Sequence, residues 1–139
     1  MKTLRLLSYF MVIALCVGFV SCSDDDDEKN YSTLIVGTWQ LTHTKGWEMY
    51  QGEKDTWDKD DNSEFFVIKA DGSGYTYDLG YENEREPFTW YINGNTVTIE
   101  DDEISKITIN ELTSNKLVVT HGMAYGDEGE CTDTYRKIN

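Results

Sequence analysis

Cysteine and histidine are the residues of this chain best suited to nucleophilic or metal chemistry, and they are few. The cysteines are Cys16, Cys22 and Cys131, and the histidines are His43 and His121. No His-Glu-x-x-His helix, Gly-x-Ser-x-Gly elbow or phosphate-binding glycine loop accompanies them. The two histidines could share a transition metal only if the strands that carry them were neighbours. The sequence therefore predicts no catalytic site, no cofactor and no metal, and we expect the protein not to be an enzyme.

Cys22 stands out because of the segment that precedes it. Lys2 and Arg5 open the chain, the apolar stretch Leu6–Val20 follows, and the small Ser21 comes directly before the cysteine. The stretch is 15 residues long, whereas a membrane-spanning helix needs about 20. A positive start, a short apolar region and a small residue before the cut are typical of a signal peptide that is removed. The pattern resembles a bacterial lipoprotein signal in which Cys22 carries the lipid, with palmitate among its acyl chains. Plain secretion and an uncleaved anchor are the alternatives.

A polar, acidic segment follows Cys22. It is composed of Ser23, Asp24, Asp25, Asp26, Asp27 and Glu28, and it contains five consecutive acids. Such a segment has little to bury and is predicted to be a flexible tether. We therefore divide the chain into a signal peptide (1–21), a lipidated cysteine with its tether (22–33) and one folded domain (34–139).

The charge of the chain limits its partners. Without Lys2 and Arg5, which leave with the signal, 10 basic and 26 acidic residues remain, a net charge of −16. A protein with this charge repels nucleic acid and anionic lipid head groups, so we predict neither as a partner. The membrane is reached only through the lipid on Cys22. The folded domain keeps a single cysteine, Cys131, so no intrachain disulfide can form, and we expect a monomer.

From Leu34 onward, apolar and polar residues alternate with the period of two that is typical of β-strands. No segment shows helical spacing of apolar residues over three turns. The first predicted strand places Trp39, Leu41 and His43 on one face, and Asn93-Gly94 predicts a type I′ hairpin turn. The eight predicted strands are Leu34–Thr44, Glu64–Ala70, Tyr75–Leu79, Pro87–Ile92, Asn95–Glu100, Ile104–Leu112, Lys116–Met123 and Cys131–Ile138.

Short strands joined by tight turns favour antiparallel pairing between neighbours. Eight such strands remove their exposed edges by closing into a barrel whose interior holds side chains or one small ligand. We therefore predict an all-β fold, a single eight-stranded antiparallel up-and-down barrel. A β-sandwich is the alternative, because the same pattern suits both architectures.

Several motifs resemble those of lipocalins and of the lipocalin-like lipoproteins of Bacteroidetes. The first is Gly-x-Trp, here ending at Trp39. In lipocalins this tryptophan closes one end of the barrel and a late arginine stacks across it, a part that the resemblance gives to Arg136. The other motifs are Phe66-x-x-x-x-Asp71-Gly72-x-Gly74, Phe88-x-Trp90-x-Ile92, the Asn93-Gly94 turn and the hairpin from Leu112 to Leu117.

The acids after Cys22 resemble an export signal of the same bacteria. There, an acidic stretch next to the lipid-bearing cysteine directs a lipoprotein to the outer face of the outer membrane. The resemblance therefore implies an outer-membrane lipoprotein exposed on the cell surface.

The long connection between the first two predicted strands is the best candidate for a binding region. Large aromatic side chains in polar loops often form binding surfaces, and sugar rings stack on them. The alternative is that these rings cover the barrel's end or belong to extended strands. The candidate ligand-binding residues are Trp47, Tyr50 and Trp57 in this connection, and Tyr75, Tyr77 and Trp90 in later strands.

Two functions follow from this pattern. The first is a surface-anchored binding module that holds a small apolar or glycan-like ligand in or at the mouth of the barrel. The second is a structural or interaction protein whose filled barrel docks or inhibits a protein partner through its loops. A continuous pocket larger than about 300 Å³ that is reached from the side of the connection Lys45–Asn62 favours the first function.

Overall fold

A computed structural model gives the fold of this protein and describes residues 31–123 and 127–139. In this part of the chain a short helical turn, 31–34, precedes nine β-strands. Their inward positions are mostly β-branched, aliphatic or aromatic residues, which suit a sheet with one buried face. The strands are β1 (Gly37–Tyr50), β2 (Glu53–Asp60), β3 (Glu64–Ile68), β4 (Ser73–Asp78), β5 (Glu86–Asn93), β6 (Thr96–Glu100), β7 (Ile104–Leu112), β8 (Lys116–Gly122) and β9 (Gly129–Lys137).

The sheet closes on itself. From β3 to β9 each strand pairs antiparallel with the next, and β1 pairs with both β3 and β9. Eight strands, β1 and β3 to β9, therefore form a closed antiparallel barrel, while β2 pairs with β1 outside the ring. This confirms the predicted barrel, and the sandwich alternative is wrong because the sheet has no break between β1 and β9.

One end of the barrel, here called the closed end, is sealed by Trp39. Its side chain is fully buried, and its indole Nε1 donates a hydrogen bond to the carbonyl of Ile35 over 2.8 Å. That bond ties the helical turn at 31–34 and Ile35 across the barrel's end. The ammonium of Lys137 lies 5.2 Å from the Trp39 ring centroid and also donates to the carbonyl of Leu34 over 3.0 Å. The closed end is therefore packed with apolar side chains and covered by one lysine.

The long connection after the first predicted strand is a β-hairpin, in line with the alternative that its aromatic residues belong to extended strands, and it corrects the predicted strand count. Strand β1 continues to Tyr50, and Glu53 begins β2 directly opposite it. The two turn residues, Gln51 and Gly52, have φ values of 51° and 81°. Positive φ at both central positions defines the type I′ turn that suits a two-residue hairpin. The segment was hard to recognise because β2 is exposed along almost its whole length and shows no apolar alternation.

The hairpin between β5 and β6 forms as predicted, but its turn differs. Asn93 pairs with Thr96, so the turn residues are Gly94 and Asn95 rather than Asn93 and Gly94. Gly94 has a φ of 61°, and neither flanking asparagine has a positive φ. Positive φ at the first central residue alone is typical of a type II′ turn, in which glycine takes that position.

A bulge in β1 changes which residues face the barrel interior. Leu41 pairs with Tyr135 and His43 with Thr134, so Thr42 has no partner in the ladder. An extra residue reverses the side-chain alternation beyond it. His43 therefore faces outward, although the sequence placed it on the same face as Trp39, and Thr44 faces inward instead.

Candidate functional site

The barrel holds a cavity of about 830 Å³ at the end opposite Trp39, here called the open end. This volume lies within the range of roughly 300–1,000 Å³ that is usual for small-molecule pockets. Its wall includes five residues of the hydrophobic core, namely Phe66, Phe88, Ile99, Val119 and Tyr135. The inward alternation of the strands therefore builds packing at one end and an apolar cavity at the other.

Polar and charged side chains line the outer part of the cavity. The carboxylates of Glu64, Glu86 and Asp133 lie on strands, and Asp101 and Glu103 lie in the loop between β6 and β7. Lysine and histidine each contribute one residue to the lining, Lys106 and His121. Negative charge therefore predominates around an apolar interior.

Three of the inward residues near the open end form a cluster, here called the His–Cys–Asp cluster: His121, Cys131 and Asp133. The register between β8 and β9 places His121 opposite Cys131, and Asp133 lies two residues further along the same face. The ligand atoms of the three side chains lie within 4.8 Å of one another. An imidazole, a thiol and a carboxylate so close together could hold a metal ion such as zinc.

Asp133 is the centre of the hydrogen bonds in this cluster. His121 Nε2 lies 2.8 Å from one carboxylate oxygen, and the Cys131 thiol donates to the other over 3.1 Å. His121 Nδ1 lies 2.9 Å from the carbonyl of Gly122. Because a carbonyl only accepts, this contact keeps a proton on Nδ1.

The second layer around the cluster comes from the hairpin. Thr44 Oγ1 lies 3.3 Å from the Cys131 sulfur and accepts a hydrogen bond from Trp57 Nε1 over 3.2 Å. Gly46 makes room for the indole of Trp57, because a Cβ there would lie 2.7 Å from a ring carbon. Trp57 therefore packs on the strand beside Cys131.

Protonation in the cluster follows from these contacts. The hydrogen bond to Asp133 raises the pKa of His121 above its ordinary value of 6.5. Burial by itself would raise the pKa of Asp133, but hydrogen bonds, that with His121 foremost, outweigh it and hold that pKa below 3.8. Burial raises the pKa of the Cys131 thiol to about 11. The uncomplexed sulfur is therefore a neutral thiol at neutral pH and not an activated nucleophile.

Glu64 and Tyr135 form a second polar contact on the cavity wall. The Tyr135 hydroxyl donates to Glu64 Oε1 over 3.2 Å. Burial raises the pKa of Tyr135 well above its usual value, so the phenol keeps its proton and remains a donor. Burial also raises the pKa of Glu64. The surroundings of this carboxyl group therefore favour its neutral form.

The predicted aromatic binding residues of the hairpin do not line the cavity. Tyr50 is 66% exposed and lies beside the turn that joins β1 to β2. Trp47 lies on the outer face with the Lys54 ammonium 4.9 Å from its ring centroid, and Trp57 packs against Gly46. The hairpin extends beyond the open end, but none of residues 45–62 is among the cavity-lining residues. The structure therefore moves the candidate site from the hairpin into the barrel.

The later aromatic candidates also lie elsewhere. Tyr75 and Tyr77 face outward, where Tyr77 stacks on Phe65 with centroids 4.8 Å apart and Arg85 lies 4.3 Å from the Tyr75 ring centroid. Trp90 points inward near the closed end, and its Nε1 donates to the carbonyls of the β3–β4 turn. All three rings pack on the protein itself and take no part in the cavity.

Arg136 differs from the role that the resemblance implied. The bulge-free alternation of β9 turns Cys131 and Tyr135 inward and Arg136 outward. Its guanidinium donates twice to Gln40 Oε1, over 2.7 and 3.2 Å. Lys137, one residue later, takes the place above Trp39 that was expected for Arg136.

The predicted lipid site and its acidic neighbours, 22–28, lie outside the described residues, as does the signal peptide. Within 31–123 and 127–139, no helix has the length and apolar character needed to cross a membrane.

Sequence reasoning missed the His–Cys–Asp cluster because its members are distant from any recognised motif. The signal that could have found it is the alternation of β9, in which Cys131, Asp133 and Tyr135 share one face. Aligning that face with Val119 and His121 of β8 requires the register, which only the folded sheet supplies.

Comparison with known proteins gives one family. The profile described as a lipocalin-like domain matches residues 35–119, which is more than half of the chain. The match extends from Ile35, before β1, into β8. No curated protein matches the sequence significantly.

Proposed function

We propose that this chain binds a small ligand with an apolar body inside the barrel. The chain belongs to the lipocalin-like domain family. The observation that carries the proposal is the cavity of about 830 Å³, walled on its inner side by core residues such as Phe88 and Val119. Burial of apolar ligand surface against such a wall is worth about 25 cal/mol per Å² before the costs of association. The cavity favours this function over that of a docking protein with a filled barrel.

The charges at the open end favour one class of ligand head group. Glu86, Asp101 and Glu103 are exposed carboxylates of the cavity lining, whereas His121 already pairs with Asp133. Like charges in proximity repel, and walls of low dielectric strengthen this repulsion. A ligand with a neutral or cationic head is therefore preferred to one with a carboxylate.

The test of the binding function is a fluorescence titration with Nile red, a neutral apolar dye that brightens in dry sites. Thr76→Trp places an indole into the cavity, since Thr76 lines it. Thr89→Trp is the matched control, because Thr89 is exposed on the outer face of β5. We expect saturable binding to the wild type and to the control, and loss of binding in Thr76→Trp. Absence of saturable binding, or equal binding by all three proteins, would contradict the proposal.

The head-group preference is tested by displacing the dye with a long-chain amine and with the carboxylic acid of the same chain length. We expect the amine to displace it at the lower concentration, and the difference to shrink in Glu86→Gln and at high salt. Equal displacement would leave the binding function intact and remove the preference.

We further propose that a lipid on Cys22 holds the barrel at the outer membrane. The apolar stretch before Ser21 and the small residue itself support this assignment. Cys22→Ser should move the protein from the detergent phase to the aqueous phase, and Cys16→Ser should leave it in the detergent phase because Cys16 is removed with the signal. Retention of Cys22→Ser in the detergent phase would show that the anchor is elsewhere.

The acidic tether supports a position on the outer face of that membrane. Replacing residues 24–28 by asparagine and glutamine should make the barrel inaccessible to protease added to whole cells. Unchanged cleavage of this variant would contradict the export role of these acids, without bearing on the lipid.

A further inference from the structure

We propose that His121, Cys131 and Asp133 form a binding site for a divalent metal ion of the zinc type on the wall of the barrel cavity. The proposal is independent of the apolar ligand, since it rests on three side chains and not on the cavity volume.

The donor set is the first reason. Imidazole nitrogen, thiolate sulfur and carboxylate oxygen are the three ligand types that zinc uses in proteins. Here they come from two adjacent strands, with His121 opposite Cys131 and Asp133 on the same face of β9. All three ligand atoms lie within 4.8 Å of one another. One ion can therefore be reached by the three side chains without a change in the sheet.

The orientation of His121 is the second reason. Its Nδ1 lies 2.9 Å from the Gly122 carbonyl, which holds a proton on Nδ1 and directs Nε2 toward Asp133. A metal-ligating histidine almost always has its second ring nitrogen held in this way by a carbonyl or carboxylate.

Burial and support are the third reason. Cys131 and Asp133 are 5% and 8% exposed, and Thr44 lies 3.3 Å from the Cys131 sulfur with Trp57 behind it. The hairpin thus shields the sulfur from the outside. On the inner side, His121 and Asp133 line the cavity, so a fourth coordination position faces the ligand space.

The hydrogen bonds that join His121 and Cys131 to Asp133 lie where the ion would bind. On binding, the thiol proton and the proton shared by His121 Nε2 and Asp133 leave to solvent, and the ion takes their position.

His43 offers the contrast within the chain. Its two ring nitrogens lie 2.7 and 2.8 Å from different carboxylates, those of Asp58 and Asp60, and both carboxylates are exposed. Its ring nitrogens point apart, so the three groups do not converge on one ion.

The experiment is a Co²⁺ titration of the full-length protein, purified in detergent and freed of metal with EDTA. Co²⁺ replaces zinc in tetrahedral sites and shows a near-ultraviolet charge-transfer band only when a thiolate is bound. We expect one equivalent of Co²⁺, this band together with tetrahedral d–d bands, and bleaching of both by one equivalent of Zn²⁺. Cys131→Ser should abolish the charge-transfer band, and His121→Gln should weaken binding by at least about tenfold.

His43→Asn is the matched control and should titrate as the wild type does. Circular dichroism shows whether each variant is folded, and if His121→Gln unfolds, the near-isosteric Asp133→Asn serves in its place. Absence of stoichiometric binding, binding without the thiolate band, or an unchanged titration in Cys131→Ser would overturn the proposal. Nile red binding in the same preparation reports on the apolar cavity separately.

Discussion

The two ends of this barrel are built from the same strands and differ in what those strands place inside. At the closed end, Trp39, Ile68 and Leu117 are each no more than 1% exposed and fill the space between the walls. At the open end, Glu64, His121 and Asp133 take the corresponding inward positions around a cavity. Apolar packing adds stability in proportion to the area it removes from water, whereas buried polar groups need partners to avoid a cost. The closed end therefore stabilises the fold, and the open end is where the protein can meet a ligand.

The largest test of this difference is Trp39→Ala. Removal of a fully buried indole should lower the free energy of unfolding by about 3–5 kcal/mol, measured from the urea midpoint by circular dichroism. Tyr50→Ala at the tip of the hairpin is the aromatic control and should change stability by less than about 0.5 kcal/mol. Similar losses in the two variants would mean that the closed end does not carry the stability assigned to it.

A smaller effect is expected at the open end from Asp133→Ala. The substitution leaves His121 Nε2 and the Cys131 thiol without their acceptor, at a cost of about 1–3 kcal/mol. The measurement is urea unfolding in the presence of EDTA, so that no metal contributes. Asp55→Ala, on the exposed strand β2, is the control and should be nearly neutral. A neutral Asp133→Ala would show that water replaces the carboxylate and that the cluster is more open than the structure indicates.

The smallest effect is expected at His43, on the outer face of β1. Hydrogen bonds to Asp60 and then Asp58 raise its pKa above 6.5. Because the pKa of His43 is raised in the folded state, its hydrogen bonds to these two carboxylates stabilise the protein fully below pH 6.5. This contribution is lost as pH rises through the folded-state pKa. An NMR titration of the histidine ring should show the raised pKa in the wild type and a lower one in Asp60→Asn. Equal pKa values in the two proteins would mean that solvent screens this pair completely.

Much of the fold could be predicted because alternation is a local signal. The Phe88, Trp90 and Ile92 pattern identified β5, and the turn residues around Asp71 and Gly94 marked hairpins that the structure contains. The pairing of β1 with β2 was not predicted because neither face of β2 is buried, so its sequence lacks the contrast on which alternation depends.

The site was harder to predict for two physical reasons. The bulge at Thr42 reverses the alternation of β1, so that Thr44 rather than His43 faces the interior. This bulge exists only through the pairing of β1 with β9. The aromatic residues of the hairpin looked accessible, yet Trp57 packs against Gly46 while Trp47 lies under Lys54. Contacts between strands decided both outcomes.

The sequence by itself determined the eight strands of the barrel, the net negative charge and the inward tryptophan, because each depends on residue type or on the period along one strand. It also contains the apolar segment before Cys22 on which the proposed lipid anchor rests. Only the tertiary structure decided which end of the barrel is hollow, that Lys137 rather than Arg136 covers Trp39, and that His121 meets Cys131 and Asp133. The physical reason is register: a shift of one residue turns every side chain of a strand to the other face, and register is set by pairing between strands rather than within them.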